Sequence, residues 1–305
     1  MRRSRLLLGI MILVLLSLTV MIWYVAWRED RHGLLTVSFL DIGQGDSIYI
    51  DAPSGRQVLI DGGPNAAVLR TLAEVSPWWD RSVDLMIATH PDSDHIGGLI
   101  DVLARYKVGT IMESSVQGST ATWNTLEKEI HAEGSPVITA TRGQIVDLGS
   151  TASTGSTGSP QAAHAYLEIL SPDRRVPNVD TNVGCVVMRL VYGATSFMLS
   201  CDAPQAIENY LVALDGSTSL TTGGSNLKSN VLKAGHHGSK TSSSPFFVGF
   251  VGPAFVVFSR GCDNKYGHPN QETIDTFARF NIPTLDTCTS GTITFVSDGQ
   301  TVRRK

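Results

Sequence analysis

The sequence contains few cysteines, few charged residues and no excess of basic ones. Its 305 residues include 4 cysteines, too few for a fold held together by disulfide bonds. Charged residues make up 17% of the chain, against about 25% in average globular proteins, which excludes bulk disorder. The 24 Lys and Arg against 28 Asp and Glu give a formal net charge of −4, so no overall basic character points to duplex-DNA binding. A hydrophobic fraction of 42% over this length allows a large buried core.

A single long run without charge stands at the start of the chain. Residues 6–27 would rise about 33 Å as a helix, enough to cross a hydrocarbon layer of about 30 Å. Three arginines precede the run, whereas the charges of residues 28–31 nearly cancel, so the positive-inside rule puts the N-terminus in the cytoplasm and the rest outside the cell membrane. Residues 1–32 are therefore predicted to form an uncleaved single-pass anchor. A cleaved signal peptide is the alternative, for which the sequence offers a poor cleavage site.

The pattern after residue 32 is that of a mixed α/β domain, predicted as one unit over residues 33–305. Short β-rich runs come first, and helical and strand patterns then alternate, with one helix predicted at about residues 98–106. A second strand-rich part includes a hairpin over residues 185–200. This order predicts two stacked sheets with helices outside. A stretch rich in Gly, Ser and Thr at residues 149–160 is predicted to be a flexible insertion.

The strongest chemical signal is the segment THPDSDHIGG at residues 89–98. Directly after an apolar strand pattern, it places four metal-capable side chains, His90, Asp92, Asp94 and His95. Such side chains at the end of a buried strand carry a desolvation cost unless they are paired or bind an ion. The segment therefore predicts a metal site, and a solvated acidic loop is the weaker alternative.

Three later strand patterns end in polar residues of the same kind. Asp202 follows the strand of SFMLSCD, where it could also cap the next helix. His236 and His237 follow a strand in LKAGHHGS, and Lys265 and His268 lie in NKYGHP after another. The carboxyl ends of neighbouring strands are where α/β folds collect their sites, so these residues are candidates for the same site as the first segment.

Six motifs in the same order resemble the extracellular metallo-hydrolase domain of ComEC-type competence proteins, a branch of the metallo-β-lactamase fold. They are DIGQGDS at 41–47, LIDGG at 59–63, THPDSDHIGGL at 89–99, FMLSCD at 197–202, LKAGHHGSKTSSS at 232–244 and NKYGHP at 264–269, and the resemblance covers about residues 34–298. It implies an αββα metallo-β-lactamase sandwich with the metal site at one edge of the two sheets, here preceded by one transmembrane helix. The many-helix DNA channel of full ComEC proteins has no counterpart in this sequence, which indicates a hydrolase module on a single anchor.

The resemblance implies two divalent metal ions, and its ligands carry over residue by residue. The implied ligands are His90 and Asp92 for one ion, Asp94 and His95 for the other, Asp202 as the bridge, and His236 as the last ligand with His237 as its substitute. The histidine that the wider superfamily carries before the bridging aspartate is missing from residues 181–185, so one ion is expected to be held weakly. Aspartate instead of histidine at position 92 hardens the site and leaves both Zn and Mn open.

The other motif residues have implied roles of their own. Asp61 is expected to support the metal loop from behind the ligands. Asp94 would also orient the attacking hydroxide, and His268 would protonate the leaving group or hold a phosphate oxygen. Lys240 and Lys265 could hold such an oxygen as point charges.

The four cysteines allow two disulfide pairs, because they lie outside the membrane on the predicted topology. Cys262 and Cys288 each follow a strand pattern at the same end of the predicted second half. Cys185 and Cys201 face each other across the predicted hairpin. Cys201 also stands where the ComEC-type relatives usually carry glycine before the bridging aspartate.

These observations predict a membrane-tethered, metal-dependent hydrolase. The leading hypothesis is a phosphodiesterase or nuclease that acts on DNA, single-stranded DNA above all, during uptake through a separate channel protein. The acidic charge of the outer part argues against DNA, so a second hypothesis is another extracytoplasmic phosphodiester, such as a cell-wall polymer substituent. A third is a non-catalytic metal-binding module, against which the intact ligand set argues. The sequence leaves the oligomeric state open.

Overall fold

The N-terminal helix stands apart from the packed core of the protein. The computed structural model describes residues 2–29, 31–77, 79–150, 163–176, 178–222 and 227–305. Helix α1 (Arg2–Glu29) contains a stretch, Arg5–Tyr24, that is long and apolar enough to cross a membrane and is not buried against the rest of the chain. It is therefore a candidate membrane span. The predicted insertion at residues 149–160 lies outside the described residues except for its first two positions, which end a strand.

The described residues form fifteen strands in two sheets. In chain order the strands are β1 Leu35–Phe39, β2 Ile48–Asp51, β3 Gln57–Ile60, β4 Ser82–Ala88, β5 Lys107–Glu113, β6 Val137–Thr139, β7 Ile145–Ser150, β8 His164–Ser171, β9 Val187–Tyr192, β10 Thr195–Leu199, β11 Val231–Lys233, β12 Phe255–Phe258, β13 Thr284–Asp286, β14 Ile293–Ser297 and β15 Val302–Arg304. The first sheet has the order β15-β14-β1-β2-β3-β4-β5-β6 and the second β13-β12-β11-β10-β9-β8-β7. Strands β3 to β6 are parallel neighbours, as are β10 to β13, so each sheet has one edge at which several carboxyl ends meet.

Helices cover the outer face of each sheet. After α1 they are α2 Ala67–Val75, α3 Ser93–Leu103, α4 Ala121–Glu133, α5 Gln205–Thr222, α6 Pro245–Val251, α7 Gln271–Arg279 and α8 Thr287–Ser290. Trp123 and Leu126 of α4 pack into the cluster on the outer side of the first sheet. Phe247 of α6 and Phe277 of α7 do the same for the second sheet. The apolar side chains of these helices face the sheets, which is how an amphipathic helix buries its surface.

The largest core cluster lies between the two sheets. Phe295 contacts both Phe39 and Phe197 edge to face, with ring centroids 6.2 Å apart in each pair. Because one of these rings belongs to the second sheet and two to the first, the contacts join the sheets directly. The resulting order of layers is helix, sheet, sheet, helix, which confirms the predicted αββα metallo-β-lactamase fold.

Helix α3 begins earlier than the sequence pattern predicted. It starts at Ser93 rather than near residue 98, so Asp94 lies in its first turn. The two glycines of the motif lie inside the helix. Because they have no side chains, the helix can approach the loop after β3 closely. Gly98 N donates to Gly63 O at 2.9 Å and Gly62 N to His95 O at 2.7 Å, and a Cβ at Gly98 would overlap that loop.

The cysteines form one of the two pairs considered. Cys262 and Cys288 form a disulfide with their Cα atoms 5.0 Å apart, which confirms the first pair. Cys185 and Cys201 are free and buried.

Candidate metal centre

Polar residues from both sheets converge at the carboxyl ends of their strands. Asp61 directly follows β3, and His90 comes two residues after β4. Asp202 follows β10, and His237 lies in a 3₁₀ turn, Gly235–Gly238, that follows β11. Because these strands run parallel to their neighbours, motifs that are far apart in the sequence meet at one edge of the sandwich.

Three imidazoles at this edge present unpaired ring nitrogens to one another. His90, His95 and His237 are at most 1% exposed, and the Nε2 atom of each has no hydrogen-bond partner among the described residues. Asp202 Oδ2 lies 3.4 Å from Nε2 of both His95 and His237, without good hydrogen-bond geometry. Since buried polar atoms are nearly always hydrogen-bonded, these unpaired nitrogens fit a metal site, in which His90, His95 and Asp202 form one group with ligand atoms within 4.8 Å of one another.

Asp61 controls which nitrogen of two of these imidazoles carries a proton. Its Oδ2 accepts from His95 Nδ1 at 2.8 Å and from the Thr89 hydroxyl at 2.7 Å. Because the Thr89 hydroxyl donates its one proton to Asp61, the hydroxyl oxygen can only accept from His90 Nδ1, 3.0 Å away. Both imidazoles are then protonated at Nδ1, which leaves the lone pairs of their Nε2 atoms for a ligand. Asp61 therefore supports His95 directly and His90 through Thr89.

The two adjacent histidines of the HHG segment occupy different positions. His237 Nδ1 donates to the Ser259 carbonyl oxygen at 2.9 Å, and its Nε2 lies 3.5 Å from Asp94 Oδ2. The side chain of His236 is 28% exposed, and its Nε2 is 3.6 Å from Asp202 Oδ2. Both residues have positive φ, 47° for His236 and 55° for His237, which turns the two side chains in different directions. His237 belongs to the groups that could hold an ion, and His236 lies at their open side.

The aspartates of the 89–98 segment lie nearer the surface than its histidines. The Asp94 side chain is 32% exposed and forms, with His95 and His237, one of the groups whose ligand atoms lie within 4.8 Å of one another. Asp92 is 40% exposed, with Oδ2 3.6 Å from His90 Nε2. Both carboxylates therefore face the opening of the site, where an ion or a substrate could reach them.

The aspartates and histidines of the site shift one another's pKa values. Burial alone would lower the pKa of His95 and His237, but Asp202 and a second aspartate beside each raise both pKa values well above the usual range. Burial likewise opposes ionisation of Asp94, yet the neighbouring imidazoles of His237 and His95 lower its pKa to about 2. The aspartates therefore remain ionised and keep these imidazoles protonated, and a bound divalent cation would take the place of those protons.

Cys201 adopts a backbone conformation that explains why glycine is usual there. Its φ is 51°, in the left-handed region that residues other than glycine adopt at a cost. Its Sγ lies 3.4 Å from His90 Nδ1, so the thiol packs against the side of the imidazole that faces away from the cluster. Cys201 is therefore placed as a neighbour of a candidate ligand.

Two further site residues did not emerge from the sequence analysis. Asp46, 3% exposed, belongs to a potential ion-binding group with Asp202 and His237, and Lys233 is completely buried beside it. Asp46 lies in DIGQGDS and Lys233 in LKAGHHGS. In each motif, a charged residue within or next to an apolar strand was the sequence feature that could have identified them.

The three residues expected at the substrate are placed at different depths. His268 is close to the cluster, with its ring centroid 5.5 Å from that of His236. Burial and the neighbouring His236 and His237 lower the pKa of His268 to about 4. Asn264 holds this loop by bonding both backbone groups of His268, at 2.9 Å and 2.8 Å. Lys240 and Lys265 are exposed, and neither ammonium group forms an ion pair with the described residues of the cluster.

Comparisons with known proteins agree with the fold and with the motifs. The metallo-beta-lactamase superfamily profile matches residues 40–247. ComE operon protein 3 of Bacillus subtilis (strain 168) is 28% identical over 282 residues, a match that covers 85% of this chain and 32% of that protein. Competence protein ComA of Neisseria gonorrhoeae is 29% identical over 275 residues, covering 89% of this chain and 34% of that protein. The chain thus spans about a third of the length of these curated relatives.

Two solved structures share the fold at low sequence identity. The metallo-beta-lactamase fold protein YhfI from Bacillus subtilis has a TM-score of 0.50 and 11% identity, covering 89% of this chain and 100% of that one. The CmlA beta-hydroxylase E377D mutant has a TM-score of 0.52 and 13% identity, covering 85% of this chain and 53% of that one. The chain belongs to the metallo-β-lactamase superfamily and is related in sequence to competence proteins of the ComEC type.

Proposed function

We propose that the protein is a membrane-tethered, metal-dependent phosphodiesterase that cleaves DNA. The observation that carries the proposal is the convergence of three unpaired Nε2 atoms on Asp202 at the open edge of the sandwich. A set of imidazoles and carboxylates suits Zn or Mn. The superfamily is generally hydrolytic, and relatives named as competence proteins favour DNA over other phosphodiesters.

The proposed centre holds two divalent ions, one of them weakly. His90 and Asp92 would bind one ion, and Asp94, His95 and His237 the other, with Asp202 shared between them. His237 replaces His236 as the proposed last ligand, because the Nε2 atom of His237 faces Asp94. The first ion has fewer ligands and a more exposed site at Asp92, which is why it is the one expected to be lost first.

The remaining residues would bind and orient the substrate. The ions, when bound, would supply Lewis acidity and lower the pKa of a coordinated water. Asp94, on the open side, would orient the attacking water through a hydrogen bond. With a pKa of about 4, the His268 imidazole is neutral at pH 7 and would hold a phosphate oxygen, or protonate the leaving oxygen once the charge of a bound phosphate raises that pKa. Lys240 and Lys265 could approach the phosphates of a longer strand from the rim.

The proposed location is the cell membrane, with the catalytic domain outside. The candidate span, the arginines before it and the Cys262–Cys288 disulfide all support this orientation, since disulfides persist in oxidising compartments. Uptake of the cleaved strand would need a separate channel protein, which is part of the same proposal.

The test is hydrolysis by the full-length protein purified in detergent. Single-stranded DNA and bis-p-nitrophenyl phosphate are offered with Mn²⁺, with Zn²⁺ and with a chelator. Asp94→Asn should abolish metal-dependent cleavage of both, whereas Asp101→Asn, two turns further along α3, should not. Cleavage of the nitrophenyl diester without cleavage of DNA would favour another extracytoplasmic phosphodiester, which the acidic net charge also favours. Metal binding without hydrolysis of either would favour a binding module.

A further inference from the structure

Strand β11 ends in a lysine with no exposed surface, Lys233. Lysine is almost never fully buried unless its ammonium group is paired. Its Nζ lies 2.5 Å from Asp46 Oδ2 and 3.3 Å from Asp202 Oδ1, and it donates to the Cys201 carbonyl oxygen at 3.0 Å. The three N–H donors of the ammonium group therefore match three acceptors inside the protein, so Lys233 is not placed to contact a substrate.

The ammonium group gives the two oxygens of Asp202 different surroundings. Oδ1 faces Lys233, whereas Oδ2 lies 3.4 Å from Nε2 of His95 and His237 and 3.6 Å from Nε2 of His236. Only Oδ2 is therefore presented to the imidazoles. Without the ammonium group the carboxylate could rotate about its last bond and offer both oxygens to a single ion.

Asp46 holds the lysine rather than extending the metal centre. By distance alone it belongs to a group with Asp202 and His237 that could hold an ion. The cation position beside its Oδ2 is already taken by Lys233, and a second cation there would be repelled by the ammonium group. Asp46 also stabilises a buried positive charge that would otherwise face only one carboxylate.

We propose that Lys233, held by Asp46, is a positioning residue that makes Asp202 a ligand through one oxygen. The inference rests on the proposed metal centre and adds to it a residue that touches no ion. Partners that orient metal ligands in this way typically change metal affinity about 10–100-fold when they are removed. The same range is expected here.

The test compares metal binding by Asp46→Asn/Lys233→Met with binding by Asp46→Asn alone, in full-length protein. The double variant removes one charge of each sign, so Asp46 is not left as an unpaired buried charge. In the single variant Lys233 still holds Asp202. The melting temperature of each metal-free protein is measured first. A separate folded sample is then titrated calorimetrically with Zn²⁺ and with Mn²⁺. The single variant measures the effect of losing the Asp46 charge alone, and the double variant should fold but bind at least about tenfold more weakly than the single variant.

Three results would overturn the role of Lys233. The first is equal affinity and stoichiometry in the double and the single variant. The second is an unfolded double variant beside a folded single variant, which would make the lysine a requirement of the fold. The third is a wild type that binds no metal, which would also remove the proposed centre. A wild type that binds metal but hydrolyses no phosphodiester contradicts only the proposed function.

Discussion

Asp61 is the residue on which two candidate ligands depend at once. It accepts from His95 and, through Thr89, fixes the proton of His90. Asp61→Asn replaces one accepting oxygen by an amide donor, so we expect metal affinity to fall about 10–100-fold. Thr89→Val should lower the affinity only for the ion that His90 binds. Metal titration of both variants, with metal-free melting as the folding control, distinguishes the effects, and equal affinity in Asp61→Asn and the wild type would contradict the relay.

His268 allows a test that separates chemistry from structure. A proton donor matters for a poor leaving group and little for nitrophenolate. We therefore expect His268→Ala to lose about 10²–10⁴-fold in turnover on DNA and much less on bis-p-nitrophenyl phosphate. His131→Ala, an exposed histidine on α4, is the matched control.

The outcome for His268 has two informative alternatives. Equal losses on both substrates, with unchanged metal content and melting temperature, would favour a phosphate contact over a proton donor. A large drop in melting temperature would instead make His268 a structural residue of the loop that Asn264 holds.

At the residue scale, the sequence predicted the cluster better than its internal order. His90, His95 and Asp202 follow apolar strands, which made them candidates, and the resemblance to the ComEC-type domain grouped them as ligands. The choice between His236 and His237 depends on two consecutive positive φ angles, which neighbouring residue types do not specify. Lys233 has the pattern of an ordinary strand residue, and only the tertiary structure shows that two carboxylates surround its ammonium group.

At the scale of elements, strand β5 and helix α4 bring two carboxyl groups together. Burial and the adjacent Glu127 raise the pKa of Glu113 to about 7, above the 4.5 of the free side chain. As the pH rises, the unfolded chain therefore releases this proton before the folded protein does. The stabilisation from the protonated Glu113 is fully present below about pH 4.5 and is lost as the pH rises through about 7. The pair makes the contact between the two elements sensitive to pH.

Removal of the like charge should reduce that sensitivity. Glu127→Gln should lower the pKa of Glu113. We therefore expect little change in the free energy of unfolding at pH 4.5 and an increase on the order of 1 kcal/mol at pH 8, discounted for partial exposure. Urea unfolding between pH 4.5 and 8, in chelator throughout, is the measurement. Glu129→Gln on the same helix is the control. Parallel pH profiles for the wild type and Glu127→Gln would show that the two carboxyl groups do not interact.

Elements with strong apolar patterns were predicted, and weak or context-dependent ones were not. The sequence pattern predicts a strand at residues 83–89 and a helix at 121–132, and strand β4 and helix α4 lie within two residues of these positions. Strands β6 and β15 have three residues each and lie at the two opposite edges of the first sheet, where little side-chain burial marks them in the sequence. The early start of α3 depends on glycines that permit contact with a distant loop, and a local pattern interprets such glycines as a turn.

At the scale of the whole molecule, the charge and cysteine distributions suggest the same orientation. Two arginines precede the candidate span and a third is its first residue, and a disulfide lies far beyond it in the domain. A disulfide such as Cys262–Cys288 persists in oxidising compartments and only rarely in the cytoplasm. If the domain is extracytoplasmic, protein taken from cells and denatured without reductant should react with maleimide at two cysteines, Cys185 and Cys201, and at all four after reduction.

The orientation itself is tested by protease added to spheroplasts. If the domain lies outside, external protease should remove a C-terminal tag while an N-terminal tag survives, because the arginines hold the N-terminus in the cytoplasm. Both tags should become accessible once the membrane is dissolved in detergent, which shows that protection depends on the membrane. A C-terminal tag that resists protease in intact spheroplasts and is digested only after lysis would reverse the topology. The disulfide would then have to form in a reducing compartment, where such bonds rarely persist.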